Sequence, residues 1–320
     1  SDVLPSVCSA FGIAVDNPLG LTVERDVVLL LIDGLGAELL RRHAEDAPTL
    51  AAHVRSTLNA GFPATTASSL SSLALGAPCA AHGIVGYSFG VPDEHGRRLF
   101  NSLRWTIDGA SGPDARESHP PRELQRLRSR LEDLADAGAE IHYVVPAYQE
   151  TSGLTRASFR AAGVLHPASH LDEVRAGVLE VARHDSAARR FAYAYTGLLD
   201  AAGHVHGPGS PEWLGVLRAV ETRIDWRALG YAVEVSLRFS LDKTEPRAFD
   251  AFTAAARAAP EVTEIQTFLG SVDIRLSVIA RDMAHWQQIY RDRILPLPHV
   301  TDIEPLMLVA TLKDSAELPL

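Results

Sequence analysis

The apolar positions keep one rhythm up to about residue 225 and a different one after it. In the first part, unbroken apolar runs alternate with stretches of helical periodicity. Val27-Val28-Leu29-Leu30-Leu31-Ile32 is the clearest run. It is β-branched at both ends and closed by Asp33 and Gly34, which predicts a strand buried on both faces of a sheet. Shorter runs at Ile141–Val145 and Phe191–Tyr195 predict further strands. Helical patterns cover about 37–43, 47–55, 122–137 and 171–183. Another helix starts in the Thr65/Thr66 cluster and runs towards Leu75, and another covers about 210–222, with Ser210 as N-cap and Pro211 at the first position. Residues 1–26 read as a lead-in, and 90–119 as a polar, turn-rich stretch. Strand–helix alternation of this kind implies a mostly parallel sheet with helices on both faces.

After about Asp225 the period shortens to two. Val233, Val235, Leu237 and Phe239 share one face of a half-exposed strand, and Glu234, Ser236 and Arg238 the other. A helix at 246–258, strands at 262–269 and 272–279, a helix at 282–293 and a last strand at 300–310 complete a β-α-β-β-α-β order. The expected fold class is therefore α/β, with an α/β/α parallel-sheet domain at 1–224 followed by an α+β ferredoxin-like domain at 225–320.

In parallel α/β sheets, ligands bind just outside the carboxyl ends of the strands. Asp33 stands at such an end, and Asp200-x-x-x-His204 comes after a later strand, so the carboxylates can converge. Two carboxylates and an imidazole suit a divalent cation, Zn²⁺ among them. Thr66, opening a helix after Phe62-Pro63, has a hydroxyl at the positive end of a helix dipole, where phosphate also binds. A metal beside it would favour the alkoxide. Each residue also has a plainer reading. Asp33 and Thr66 can be helix caps, Asp200 can cap a turn, and His204, His206 and His82 can be loop histidines.

Taken together, LLLIDGLG at 29–36, GFPATTASSLSSLALGAP at 61–78, AHGIVGYSF at 81–89 and YTGLLDAAGHVHGPGSPEW at 195–213 resemble the alkaline phosphatase superfamily. The branch they resemble is that of the type I phosphodiesterases and nucleotide pyrophosphatases. The resemblance implies phosphodiester or nucleotide pyrophosphate hydrolysis at two zinc ions. Asp33 would ligate one zinc, with Thr66 as nucleophile on it, and Asp200 and His204 would ligate the other. Ser69 falls where pyrophosphatases carry an Asn, and the family's Asp-His-Gly, which with a later His completes its metal sites, occurs nowhere in the 320 residues, so hydrolysis is expected to be impaired.

Residues 226–320 are similar instead to the effector-binding domain of Lrp/AsnC transcription regulators. The text carrying this is DWRALGYAVEVSLRFSL at 225–241, VTEIQTFLGSVDIRLSVIARDM at 262–283 and LPLPHVTDIEPLMLVA at 295–310. The resemblance implies homo-oligomers and an amino-acid effector near Gly270 and Asp273, although the first Asp of that family's turn is Ser271 here. The chain thus reads as chimera-like. Its alternative function is a non-catalytic, oligomerising effector-binding module.

Composition narrows the partners. A net charge of −10 disfavours a broad nucleic-acid-binding surface, so direct nucleic-acid binding is not expected; the small-molecule phosphodiester or nucleotide substrate is what the resemblance implies. No apolar run approaches a membrane span. Two cysteines, Cys8 and Cys79, in no CxxC pattern, fit a reducing compartment, and a cytoplasmic location is expected.

Overall fold

The computed structural model describes the chain except residues 1, 24, 95, 185, 224–232, 243, 260, 269–271 and 308–320. Its elements run α1 (Val3–Ala10), β1 (Val27–Ile32), α2 (Ala37–Arg42), α3 (Pro48–Ala52), α4 (Thr66–Leu75), α5 (Cys79–His82), β2 (Ser88–Asp93), β3 (Gly96–Asn101) and β4 (Thr106–Ile107). Next come α6 (Pro121–Leu124), α7 (Arg130–Asp136), β5 (Glu140–Val145), α8 (Tyr148–Thr151), α9 (Gly153–Ser158), β6 (Val164–Pro167), α10 (Leu171–Arg183), β7 (Arg190–Thr196), α11 (Leu198–His206) and α12 (Pro211–Arg223). The last are β8 (Val233–Leu241), α13 (Ala248–Arg257), β9 (Val262–Thr267), β10 (Ile274–Ala280), α14 (Met283–Ile289), a π-helical turn Tyr290–Ile294 and β11 (Val300–Met307). Two compact units result: Ser1–Gly36 with Ser56–Val216, and Ala37–Arg55 with Leu217–Leu320.

The first unit is built on a parallel sheet in the order β1-β7-β5-β6. Alternation along β7 sorts its two faces. Phe191, Tyr193 and Tyr195 join the larger core with α1, α4, α7 and α9, whereas Ala192 and Ala194 pack with Val174 and Val181 of α10. The expectation that β1 is buried on both faces is not met. Among the described residues β1 pairs only with β7, and Val28 and Leu30, in register with Ala192 and Ala194, remain 43% and 40% exposed. An edge strand has neighbours on one side only, and the apolar run alone does not distinguish it from a central one.

Two further expectations change. The helix at 122–137 is interrupted, because Ser129 starts a new one. Its hydroxyl accepts from Leu131 N–H at 3.2 Å, while Glu132 accepts from Ser129 N–H at 2.9 Å, a reciprocal cap written in the sequence as Ser-x-x-Glu. The stretch 90–119 is not simply turns. It carries most of an antiparallel β2-β3-β4 sheet whose Phe100 packs edge-on against the fully buried Trp105 at 4.9 Å.

In the second unit the sheet order is β11-β8-β10-β9, all antiparallel. Val235, Leu237 and Phe239 of β8 and Ile274, Leu276 and Val278 of β10 pack with Phe252 of α13 and Trp286 of α14 in one core. This is the ferredoxin-like order read from the sequence. The same unit holds α3, whose first amide groups, Thr49 N–H and Leu50 N–H, both donate to the buried Glu221 carboxylate at 2.7 and 3.1 Å.

Candidate functional site

β1 and β7 are parallel neighbours with Ile32 opposite Thr196, so the segments leaving the two strands emerge at the same edge of the sheet. Asp33 N–H extends the ladder by donating to Thr196 O at 2.9 Å. After β7 the chain turns into α11, which places Asp200 in the helix's first turn. Gly34 then has to take a left-handed backbone, φ +81°. A Cβ there would stand 2.6 Å from Asp200 Cα, so only glycine lets the two segments approach this closely.

Thr66 comes from the start of α4. The capping residue is its neighbour Thr65, which has an extended backbone and whose side-chain oxygen accepts from Ser68 N–H. Thr66 is therefore the first helical residue, and its hydroxyl is free to reach outward. It donates to Asp33 Oδ2 at 3.3 Å. The plain N-cap reading of Thr66 is replaced by a hydroxyl aimed at a carboxylate. Tyr195 OH donates to the same oxygen at 2.9 Å, and Asp33 Oδ1 accepts from Gly34 N–H at 3.1 Å. Burial and the Asp33 charge push the Tyr195 phenol well above its usual range, which keeps it a donor.

Asp33, Thr66, Asp200 and Tyr195 line one cavity of about 610 Å³, together with Arg104 and Gln149. Burial and the nearby Asp33 charge raise the Asp200 carboxyl above its ordinary value, with His204 opposing. His204 Nε2 is 3.5 Å from Asp200 Oδ2, one helical turn on, and its side chain is exposed. The sequence-derived residues Asp33, Thr66 and Asp200 are thus brought together around one space, with His204 attached through Asp200. Ser69 is half-buried on α4 and does not line that cavity.

Sequence reasoning missed Tyr195 and Arg104. Tyr195 stands in the YTGLLDAAGH text, but nothing in its spacing marks it as a partner of Asp33. Arg104 sits in a loop where Trp105 adopts a left-handed φ of 57°, held by its burial and by donation from its indole N–H to His119 O at 2.8 Å. No sequence signal marks that turn.

The donor set bears directly on the metal centre that the family resemblance implies. Two carboxylates, one of them raised by burial and by the other's charge, form a place where a cation relieves repulsion. The donors nevertheless split into Asp33 with Thr66 and Asp200 with His204, and catalytic zinc usually takes three protein ligands. Among the described residues no group of three or more His, Cys, Asp or Glu side chains is arranged to hold a metal. The residues present do not fit a complete two-zinc centre.

In the second unit Asp273 opens towards β10. Its carboxylate accepts from Leu241 N–H at 2.9 Å and its N–H donates to Phe239 O at 3.0 Å, so it ties the ends of β8 and β10 together. Gly270 lies outside the described residues. No helix among the described residues is long and apolar enough to cross a membrane.

Residues 27–226 match the family described as type I phosphodiesterase / nucleotide pyrophosphatase, and residues 234–318 match the Lrp/AsnC ligand binding domain. Among curated proteins, the chain is 23% identical over 106 residues to the transcriptional regulator AzlB of Bacillus subtilis, covering 33% of this chain and 68% of that protein. It is 29% identical over 89 residues to the proline dehydrogenase transcriptional activator of Rhodobacter capsulatus, covering 28% and 58%. The matches therefore span about two thirds of one relative and little more than half of the other. Among solved structures, AsnC of E. coli aligns at 18% identity and a TM-score of 0.28, over 46% of this chain and 98% of that one. The AsnC-family regulator of Agrobacterium tumefaciens aligns at 20% and 0.28, over 46% and 95%.

Proposed function

Because the chain belongs to the type I phosphodiesterase / nucleotide pyrophosphatase family, we propose that its first unit binds phosphodiesters or nucleotide pyrophosphates and hydrolyses them slowly through Thr66. The observation that carries this is the shared cavity of Asp33, Thr66 and Asp200, with the Thr66 hydroxyl hydrogen-bonded to Asp33 at 3.3 Å. A phosphoryl group entering this space meets the Thr66 oxygen at a helix start and the Arg104 guanidinium on the wall. As the Thr66 oxygen bonds to phosphorus and the ester oxygen departs, Asp33 Oδ2 is placed to take the hydroxyl proton. Asp33 passes that proton to the departing ester oxygen, and water then attacks the phosphorus, its hydroxyl joining the phosphate and its proton restoring the Thr66 hydroxyl. Zinc is the family's metal. The donors present, split into Asp33 with Thr66 and Asp200 with His204, do not complete that centre, and turnover is slow for that reason.

The test is hydrolysis of bis-p-nitrophenyl phosphate by wild type and Thr66→Ala, with elemental analysis of the dialysed protein. Turnover present in wild type and lost in Thr66→Ala supports the reading. An unchanged rate in the variant overturns it.

A second reading is favoured by the Lrp/AsnC ligand binding match at 234–318. In it, the second unit binds an amino-acid effector around Gly270 and Asp273 and drives homo-oligomers, and the first unit serves as a binding module. Light scattering on the full chain tests it: a dimer or larger species is expected, and a strict monomer counts against it. The division at residue 225 into a phosphodiesterase-like domain and a ligand-binding domain belongs to the same proposal.

A further inference from the structure

The turn that carries Arg104 is held at a cost. Trp105 and Asp108 both take left-handed backbones, φ 57° and 64°, which residues with side chains adopt rarely. Asn101, fully buried, accepts from Arg104 N–H at 2.8 Å through Oδ1, and its Nδ2 is left without a partner. Such features persist only where the surrounding structure enforces them, and they gather at functional sites.

Three anchors enforce this turn. Ser102 holds the near end, its N–H donating to Tyr87 O at 3.0 Å and its Oγ donating to Gly86 O at 2.7 Å. Both acceptors belong to the AHGIVGYSF text at 81–89, which anchors the turn from outside the cavity. Trp105 holds the far end. Its indole N–H donates to His119 O at 2.8 Å, and its own carbonyl accepts from Ala115 N–H at 2.9 Å. The third anchor is Gly153, the first residue of α9. A Cβ there would stand 2.1 Å from Trp105 Cγ and 2.5 Å from Trp105 Cβ. The Trp105 side chain therefore rests directly on the Gly153 backbone, and no other residue leaves room for it.

Rotating the ring does not relieve that clash, because rotation about the first side-chain bond leaves Trp105 Cβ in place. Relief has to move either the Trp105 backbone, which adjoins Arg104, or the start of α9. Ser152 and Leu154, on either side of Gly153, line the same cavity as Arg104 and Thr66. One contact thus joins two walls of the candidate site.

We propose that the Trp105–Gly153 contact positions the Arg104 guanidinium for the phosphoryl group, which makes Trp105 and Gly153 positioning residues for the reaction. The inference rests on the hydrolytic reading above and deepens it. Arg104 stabilises the charge that builds on the phosphoryl oxygens as Thr66 attacks, and the contact fixes where that charge is met. A misplacement of about 1 Å lowers such a rate about a hundredfold.

Phosphate binding and turnover test this together. Inorganic phosphate is titrated calorimetrically into wild type, Arg104→Ala and Gly153→Ala, and binding about tenfold weaker is expected in both variants. On bis-p-nitrophenyl phosphate, each is expected to lose about a hundredfold in kcat, and the double variant no more than Arg104→Ala alone. Millimolar guanidinium ion should restore part of the turnover of Arg104→Ala and of the double variant alike, which general damage to the fold would not allow. Trp105→Phe keeps a ring against Phe100 and loses the bond to His119 O. It should show the same pattern at smaller amplitude, and it carries the test where Gly153→Ala does not fold. Wild-type phosphate affinity in the folded variant overturns the positioning role. So does a double variant that falls well below Arg104→Ala and resists guanidinium. Turnover that persists in Thr66→Ala overturns the hydrolytic reading instead and leaves phosphate affinity to judge the positioning.

Discussion

The backbone of Gly34 lies against that of Asp200, so closely that a methyl group on Gly34 would stand 2.6 Å from Asp200 Cα and 2.7 Å from its nitrogen. This contact sets the separation between the two carboxylates of the candidate site. Gly34→Ala adds a left-handed alanine, worth about 1–2 kcal/mol, to a clash with backbone that cannot rotate away. A loss of at least about 2 kcal/mol in chemical denaturation is expected. Gly36→Ala is the control, since nothing lies within 4 Å of the added carbon. Equal stability of the two variants would mean that the Gly34–Asp200 approach is not tight in solution.

Tyr195 gives a second handle on the same carboxylate. Its hydroxyl and that of Thr66 converge on Asp33 Oδ2 at 2.9 and 3.3 Å. Tyr195→Phe removes the shorter bond from a side chain that is only 9% exposed, at a cost of about 1–2 kcal/mol. It also leaves Thr66 as the donor remaining on that oxygen from this pair, so the acceptor is less well fixed. A fall of about tenfold in kcat on bis-p-nitrophenyl phosphate, with KM little changed, is the expected split. A pure KM effect would show that Tyr195 contacts substrate instead of positioning Asp33.

Each part of the molecule is legible in the chain to the extent that a local signal encodes it. Strands and the long helix α10 are legible because burial imposes periodicity, and α10 runs over the same residues 171–183 that the pattern predicts. The Asp33, Thr66 and Asp200 cluster is legible because strand ends and helix starts in a parallel sheet share an edge. The burial of β1 is not, because pairing on one side or two leaves no mark on a run such as VVLLLI. The break before α7 does carry a mark, Ser129-x-x-Glu132, that the amphipathic rhythm overrides. Arg104 and the Trp105–Gly153 contact come from a loop and a helix start far apart in sequence, which local pattern does not join.

His82 makes stability depend on pH. It is 3% exposed, Ile84 N–H donates to its Nδ1 at 3.1 Å, and its Nε2 therefore carries the proton towards Ser72 Oγ at 2.9 Å. Burial holds the ring down at about 4, against an ordinary 6.5, so the folded form binds a proton later than the unfolded one. The stabilisation is complete above pH 6.5 and is lost as pH falls towards 4. Between pH 7.5 and 4.5 the loss should reach about 2–3 kcal/mol, read from urea midpoints. His142, held down by burial and by His166, acts in the same direction. His82→Gln should be less stable at pH 7.5 and lose less on acidification. An identical pH slope in the variant would assign the dependence elsewhere.

Asp200 works with the opposite sign. Burial and then the Asp33 charge raise its carboxyl, so the folded protein prefers it protonated, and stability falls as pH rises through that raised value. At neutral pH the ionised pair is a local cost that a cation relieves, in keeping with sites kept for binding at some expense of stability. Asp200→Asn removes the repulsion and keeps the shape. In the presence of chelator at pH 7 it should melt about 2 °C above wild type, a modest step because the group is partly solvated. The gap should narrow as pH is lowered and wild-type Asp200 takes up its proton. Added Zn²⁺ or Mn²⁺ should raise the wild-type melting temperature more than that of the variant. A variant that melts lower than wild type under chelator would show instead that the contact with His204, 3.5 Å away, outweighs the repulsion from Asp33, and the carboxylate would then be a structural group.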